Sequence, residues 1–215
     1  MQSTCPFKGT ETMLDIRQYV DTYTGVLRAL DTAAIEGLAG LIANAWRHRR
    51  TVYFCGNGGS AANAAHIAAD LMKLTAPATG PRLRAVALGE SLPGLTAAAN
   101  DLAYQDIYAE QLKAFLEPGD IVVGLSTSGS SPNVLRALEL ASEMGAITAG
   151  VTSTNGAALR ARAQHVVLVA SDSVQHIEDA TMVTGHLLCL LVRDLIAQQM
   201  AGVAAGSDRP AGASA

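Results

Sequence analysis

Aromatic and charged residues are both scarce in this 215-residue chain, at 4% and 16% of the sequence. A core that has few aromatic rings is built mainly from Ala, Leu, Val and Ile, which favours helices packed closely against a sheet. The net charge is −4, and the longest basic run is Arg47-His48-Arg49-Arg50. Because proteins bind the phosphate backbone of nucleic acids through clustered Lys and Arg, this composition predicts no nucleic-acid partner.

Paired cysteines, an export signal and a long apolar run are missing as well. Cys5, Cys55 and Cys189 form no CxxC pair and are odd in number, which favours a reducing compartment. The N-terminus has no apolar signal core behind a basic start. The longest apolar stretch, around residues 187–192, is far shorter than the roughly 20 residues that a membrane-spanning helix needs. These absences predict a soluble, cytoplasmic protein with no membrane partner.

Hydrophobic periodicity predicts an α/β domain. Apolar residues at three- and four-residue spacing indicate two N-terminal helices, and β-rich runs then alternate with helical segments. This alternation implies a parallel sheet covered by helices on both faces. We predict strands at 51–55, 83–88, 121–125, 146–151 and 165–169, and helices at 11–30, 32–48, 61–73, 94–99, 104–115, 132–144, 156–163 and 175–199.

The number of strands decides between two α/β architectures. Five are too few for an eight-stranded barrel and fit a flavodoxin-like, doubly wound sheet. The prediction is therefore a single domain over residues 10–200, with N-terminal helices and a long C-terminal helix. Residues 206–215 are rich in Gly, Ala, Ser and Pro and are expected to form a disordered tail.

Two loops at predicted strand ends have compositions that suit an anion. Loop 1, residues 56–60 (GNGGS), follows the first strand, and loop 2, residues 126–131 (STSGSS), follows the third. In open α/β sheets, ligands bind beyond the carboxyl ends of the strands, where glycines allow close approach and helix starts supply N–H donors. Loop 1 alone is also compatible with an ordinary strand-to-helix turn. Loop 2 has more hydroxyls than a helix cap needs, which favours anion binding.

Neither loop carries a nucleotide-binding fingerprint. No Gly-Lys-Ser/Thr follows either loop, and loop 1 is not a GxGxxG motif. A single phosphate on a small molecule is therefore the better match.

Four side chains are candidates for acid–base or metal chemistry. His66 and Asp70 are four residues apart and share a face of the helix after loop 1, although such a pair is also common on helix surfaces. Glu178 and His186 lie on the final helix among apolar residues, where a histidine is more often a core residue than a ligand. Eight helical residues span about 12 Å and leave the two side chains about 80° apart. Either the helix is irregular at Glu178, or these two residues serve one site from different subunits.

The two loops and their flanks resemble the signature loops of the SIS (sugar isomerase) family. The matching segments are FCGNGGSAANAAHI, residues 54–67, and LSTSGSSPNVLRALE, residues 125–139, and the resemblance covers about residues 10–200. Within the family, CGNGGSA and Ala99-Asn100-Asp101 resemble the phosphoheptose isomerases. This resemblance implies a homotetramer that converts sedoheptulose 7-phosphate into a heptose 7-phosphate. The implied substrate contacts are Ser126, Thr127, Ser128 and Ser131 for the phosphate, and Asn57, Gly58, Ser60, Asp101 and Glu178 for the sugar.

The resemblance also implies one zinc ion per subunit, with Asp70 as base and His186 as acid. The implied ligands are His66, Asp70, Glu178 and His186, with Gln175 and His176 as alternatives. Asp70 stands where relatives have Glu, so its carboxylate is one methylene shorter, and Glu178 stands where they have Gln, which adds a negative charge. That charge would strengthen zinc binding and weaken the ion as a Lewis acid.

Two other functions remain open from the sequence. The two departures from the family pattern are compatible with an isomerase that acts on another sugar phosphate. A non-catalytic SIS protein that senses a sugar phosphate or binds a protein partner is the other alternative. Such a binding protein has no need for all four candidate side chains, so their joint presence favours catalysis.

Overall fold

A computed structural model describes residues 14–207 of the chain, with side chains up to residue 201. Its elements, in chain order, are α1 (Ile16–Arg28), α2 (Thr32–Arg47), β1 (Thr51–Gly56), α3 (Gly59–Leu74), β2 (Arg84–Ala87), α4 (Leu92–Asp101), a 3₁₀ turn (Tyr104–Asp106), α5 (Ile107–Phe115), β3 (Ile121–Ser126), α6 (Pro132–Glu143), β4 (Ile147–Ser153), α7 (Ala157–Arg160), β5 (His165–Val169) and α8 (Val174–Ser207).

The five strands form one parallel sheet in the order β2-β1-β3-β4-β5. This confirms the predicted flavodoxin-like, doubly wound sheet. Every residue of β1 and β3 is buried, as their nearly continuous apolar sequences require of central strands covered on both faces. One face packs against α2, α3 and α8, and the other against α5 and α6. Strand order reverses between β1 and β3, and loops 1 and 2 leave the sheet at that crevice.

Most predicted boundaries lie within two residues of those in the structure, and four elements differ by more. Helix α1 starts at Ile16, after the N-cap Asp15, and not at residue 11. The helix predicted at 156–163 is the single turn α7, because the backbone at Gln164 already bonds to Thr148 of β4 and so starts β5. Residues 104–106, predicted as α-helix, form a 3₁₀ turn. The final helix extends through Ser207, eight residues beyond the prediction. Residues 10–13 of the predicted domain and most of the predicted tail lie outside the described residues.

Helix α8 explains why the C-terminal part of the chain is so apolar. Its segment Val174–Ala201, which contains an 18-residue window with a mean hydropathy of 1.5, is long and apolar enough to cross a membrane by length and composition alone. However, α8 contributes Ile177, Leu188, Val192 and Ile196 to the core beneath the sheet, where all four are buried. This burial is the ordinary reason for apolar residues in a helix that covers one face of a sheet.

Candidate active site

The helices that follow the two loops both begin without a side-chain cap. The N-cap residues are Gly58 for α3 and Ser131 for α6, and neither makes a capping side-chain hydrogen bond. Neither helix has an acidic residue in its first turn. Several N–H groups at these starts are already used, because Ser60 N and Ala61 N donate to the carbonyl of Asn57 and Val134 N donates to Asn133 Oδ1. The positive ends of both helix dipoles still favour an anion in the crevice.

The hydroxyl groups of loop 2 hold the loop in one conformation. Ser126 Oγ accepts a hydrogen bond from Gly129 N at 3.1 Å and lies 3.1 Å from Ser131 Oγ. Ser128 Oγ accepts from Ser130 N at 3.3 Å and from Ser130 Oγ at 3.0 Å. Of the predicted phosphate contacts, Ser126 is buried and thus mainly shapes the loop, whereas Ser128 is exposed.

Gly129 is required by the shape of loop 2. Its φ is +63°, which residues with a side chain rarely adopt. A Cβ atom at this position would lie 2.4 Å from the Cα atom of Gly156, at the start of α7. The loop therefore packs directly on the turn after β4, and its hydroxyls are displayed at the carboxyl edge of the sheet.

Three of the four candidate ligands converge within one chain. His66 Nε2 lies 3.1 Å from His186 Nε2 and 3.2 Å from Asp70 Oδ2, and His186 Nε2 lies 3.8 Å from the same oxygen. The two histidines come from α3 and α8 and are 120 residues apart in the sequence. About half of each histidine side chain is exposed. This group of two imidazoles and one carboxylate, the His–Asp cluster below, has the donor atoms and the spacing to hold a metal ion.

Gly185 allows α3 and α8 to approach closely beside the His–Asp cluster. A Cβ atom at Gly185 would lie 2.3 Å from Cγ1 of Ile67, which is itself buried. Each of these residues is the sequence neighbour of a cluster histidine, His186 or His66. Sequence reasoning missed Gly185, although a glycine inside a long helix costs about 1 kcal/mol relative to alanine and so indicates a close contact.

Glu178, the fourth predicted ligand, does not join the cluster in one chain. Helix α8 is continuous from Val174, so Glu178 is more than two turns from His186 on a regular helix. Of the two alternatives, an irregular helix at Glu178 is therefore excluded. The Glu178 carboxylate instead lies against Gly59 in loop 1, where a Cβ atom would meet Oε1 at 2.4 Å. Its backbone carbonyl accepts a hydrogen bond from Asn63 Nδ2 at 2.9 Å. The alternative ligand His176 is buried between α1 and α8, in contact with two tyrosine rings.

Asp101 ends α4 and is exposed. Its Oδ1 accepts a hydrogen bond from Asn100 Nδ2 at 2.8 Å. Three residues later, the hydroxyl of Tyr104 donates to Asn57 Oδ1 at 3.1 Å, so this segment reaches loop 1 through Tyr104.

The two cysteines among the described residues are free thiols with no nucleophilic character. Burial raises the pKa of the Cys55 thiol to about 12. Burial, with a smaller contribution from the charge of Asp70, raises the pKa of the Cys189 thiol to about 12 as well. Because only the thiolate is a good nucleophile or ligand, Cys189 is inert although it lies beside the cluster.

Comparison with known proteins identifies a family model and several similar proteins. The family model described as SIS domain matches residues 18–153. The phosphoheptose isomerase of Akkermansia muciniphila is 39% identical over 161 residues, which cover 74% of this chain and 83% of that protein. The phosphoheptose isomerase of Solidesulfovibrio magneticus is 41% identical over 158 residues, which cover 74% of this chain and 76% of that protein. The solved structure of a phosphoheptose isomerase from Francisella tularensis matches with a TM-score of 0.76 at 27% identity, over 83% of this chain and 96% of that one.

Proposed function

The chain belongs to the SIS domain family, and from this membership together with the geometry of the site we propose that it converts sedoheptulose 7-phosphate to a heptose 7-phosphate. The observation that carries the proposal is the His–Asp cluster, which gathers His66, Asp70 and His186 from two helices within 3.8 Å of one another. A protein that only senses a sugar phosphate needs an anion-binding loop but gains nothing from such a cluster.

Loop 2 supplies the phosphate site. Thr127, Ser128 and Ser131 donate hydroxyl hydrogen bonds to the phosphoryl oxygens, and buried Ser126 fixes the loop around them. The start of α6 adds the positive end of a helix dipole. These contacts are the same in the ketose and the aldose, so they hold the substrate in place without distinguishing the two.

The sugar extends from the phosphate along loop 1. In loop 1 the sugar is lined by Asn57, Gly58 and Ser60, and from α4 it is contacted by Asp101. Glu178, whose half-buried carboxylate lies against Gly59, accepts hydrogen bonds from sugar hydroxyls. The sugar then runs parallel to the packed helices α3 and α8, which places its carbonyl end at the cluster.

The cluster moves a proton between C1 and C2. Asp70 takes a proton from C1 of the ketose, which gives an enediol, and after exchange with solvent it delivers a proton to C2. His186 donates a proton from Nδ1, because its Nε2 faces the cluster, to the carbonyl oxygen on C2 as the enediol forms, and it takes a proton from the oxygen on C1 as the aldose carbonyl appears. Asp70 Oδ2 faces both histidines, which leaves Oδ1 free to act as the base.

Zinc is the metal that best suits the cluster. Two atoms bound to one tetrahedral zinc at about 2.0–2.1 Å lie about 3.3–3.4 Å apart, close to the three spacings of 3.1, 3.2 and 3.8 Å. Two imidazoles and one carboxylate are a common set of protein ligands for a catalytic zinc, which keeps a further position open. We therefore assign His66, Asp70 and His186 as ligands of one zinc ion per subunit. When bound, zinc acts as a Lewis acid that polarises the substrate carbonyl.

The proposed function is tested by measuring whether deuterium from the solvent enters the product at C2. Purified protein with added Zn²⁺ is incubated in D₂O with sedoheptulose 7-phosphate and a panel of other ketose phosphates, and the products are identified by NMR. We expect a heptose 7-phosphate with solvent deuterium at C2. Aldose formed only from another ketose phosphate would show that the substrate assignment is wrong. If no member of the panel is turned over, the protein is a sensor rather than an isomerase.

We also propose that the chain acts as a cytoplasmic homotetramer in which subunit contacts cover the open side of the cluster. Leu74, Leu187 and Leu190 are exposed in the single chain, at 49%, 37% and 49%. Two of them line a cavity next to Asp70 and His186. Apolar residues grouped around a functional site are typical of a surface that another protein chain covers.

The oligomer proposal predicts a change in mass for Leu190→Glu. Four copies of the 22.2 kDa chain are expected in the unmodified protein, and a buried unpaired carboxylate at the interface should shift the assembly to dimers or monomers. Size-exclusion chromatography with light scattering measures the mass. The matched control is Leu92→Glu, because Leu92 is 67% exposed and starts α4 on the other face of the sheet. A tetramer that persists with Glu at position 190, or that dissociates equally in the control, would argue against this surface.

A further inference from the structure

A pair of asparagine side chains ties the two loops of the site to each other. Asn57 Nδ2 donates to Asn133 Oδ1 at 2.9 Å, and Asn133 Nδ2 donates to Asn57 Oδ1 at 2.7 Å. The two amides thus form a closed ring of two hydrogen bonds. Asn57 belongs to loop 1, and Asn133 is the second residue of α6, directly after loop 2. This amide ring is the direct side-chain link between loop 1 and the start of α6.

Asn133 is fixed more firmly than Asn57. It is fully buried, with 0% of its surface exposed, and its Oδ1 also accepts from Val134 N at 3.0 Å. Its side chain therefore cannot turn without breaking three hydrogen bonds in a site closed to water, which costs about 1–3 kcal/mol for each group left unpaired. Asn57 is only partly buried and borders the crevice. The rigid residue, Asn133, therefore orients Asn57, which can face a ligand.

Two tyrosines complete the environment of Asn57. Tyr104 OH donates to Asn57 Oδ1 at 3.1 Å, so this oxygen has both lone pairs occupied, one by Tyr104 and one by Asn133. Tyr108 OH lies 3.3 Å from the same oxygen, but its one proton is donated to the carbonyl of Gly56 in a shorter contact. Burial raises the pKa of Tyr108, so it stays a neutral donor.

These contacts decide which group Asn57 can present to a substrate. Its oxygen is fully used within the protein, and one of its two amide hydrogens is used by Asn133. The second N–H is the one remaining group, and it can only donate. With the amide turned over, the oxygen would face the crevice and the NH₂ group would face two donors, which the ring with Asn133 prevents.

We propose that Asn133 is a positioning residue of the isomerase site, which fixes the orientation of Asn57 and the distance between the two loops. It acts through Asn57 and does not itself touch the substrate. The inference rests on the proposed contact between Asn57 and the sugar. Its chemical consequence is a fixed hydrogen-bond donor, set to meet an oxygen of the sugar as negative charge develops on the enediol.

A double-mutant cycle on kcat tests the proposal. We expect Asn57→Ala to lower kcat about 10- to 100-fold and Asn133→Ala to lower it about tenfold, because both release the same donor. KM should change less than about threefold in both, since the phosphate contacts of loop 2 remain. The double variant should be no slower than Asn57→Ala alone, because Asn133 has no other route to the reaction.

Two further variants separate positioning from stability. Thr148→Val also removes buried hydrogen bonds, to Arg162 and Gln164, and should lower the thermal midpoint without lowering kcat. Tyr104→Phe alters a side chain that is 57% exposed and therefore leaves folding intact. It should lower kcat about threefold in the unmodified protein and not at all in the Asn57→Ala variant.

Three outcomes would overturn the inference. Losses that multiply in the double variant would mean that Asn133 acts independently of Asn57. A normal kcat for Asn133→Ala beside a slow Asn57→Ala would refute the role of Asn133 and leave the proposed function standing. A normal kcat for Asn57→Ala would remove the premise, namely the contact of Asn57 with the sugar.

Discussion

Replacing His186 with Gln is expected to lower kcat by about three orders of magnitude and to leave the fold intact. The change removes the group that gives and takes the proton of the carbonyl oxygen, a role that typically contributes 10²–10⁴-fold. It also removes one of the three proposed zinc ligands. Because 52% of the His186 side chain is exposed, the substitution takes little packing from the core.

Three measurements establish the effect of His186→Gln. Turnover is followed by NMR, bound zinc by elemental analysis of the dialysed protein, and the fold by circular dichroism and thermal melting. We expect less than one zinc per subunit and an unchanged spectrum. The matched control is His165→Gln, because His165 is an exposed histidine at the start of β5 and lies outside the cluster. Normal turnover in the His186 variant would refute its assignment as the acid.

The second large effect is expected from Gly185→Ala, a change of one methyl group. The added Cβ atom would lie 2.3 Å from Ile67 Cγ1 and 2.6 Å from Ile67 Cδ1, so α3 and α8 must move apart. His66 and His186 are attached to these helices at the adjacent positions, and their Nε2 atoms separate with them. Displacement of catalytic groups by about 1 Å can cost about 100-fold in rate, and we expect a loss of that size together with weaker zinc binding.

A second substitution distinguishes displacement from general damage. Truncating Ile67 to Ala removes both clashing atoms, and the nearest remaining one, Cβ, lies 3.6 Å away in ordinary contact. Gly185→Ala combined with Ile67→Ala should therefore recover most of the lost activity, although Ile67→Ala by itself costs about 2–5 kcal/mol of stability. Gly40→Ala on α2 is the matched control. With nothing within 4 Å of its Cβ atom, it should stabilise the protein by about 1 kcal/mol without affecting turnover.

Most of the fold could be predicted from the sequence because its signals are local. The buried strands β1 and β3 are short apolar runs bounded by turn residues, and the order of elements along the chain restricts the sheet to few topologies. The single turn α7 was overestimated because its sequence suits a helix, while its length is limited by the hydrogen bonds of Gln164 to the neighbouring strand. Competition of this kind between local preference and sheet pairing is not visible in a sequence window.

The candidate site was only partly predictable. The hydroxyls of loop 2 and the four-residue spacing of His66 and Asp70 are sequence patterns with a direct physical meaning. The separation of Glu178 from His186 follows from regular helix geometry, but the contact of Glu178 with Gly59 was not predictable, because it depends on how α8 lies along α3. Asn133 was missed for a similar reason: an asparagine near a helix start resembles an ordinary capping residue, and its partner, Asn57, is 76 residues away.

The sequence by itself determined the alternation of strands and helices, the two loops proposed to hold the substrate and the four side chains able to do acid–base chemistry. These follow from the chemistry of residues that are neighbours in the chain. Only the tertiary structure decided that His186 meets His66 while Glu178 faces loop 1, and that Asn133 holds Asn57. Such contacts arise where separate elements pack. The distance between α3 and α8 is set by a single residue, Gly185, because the packed interior leaves no space for one more methyl group there.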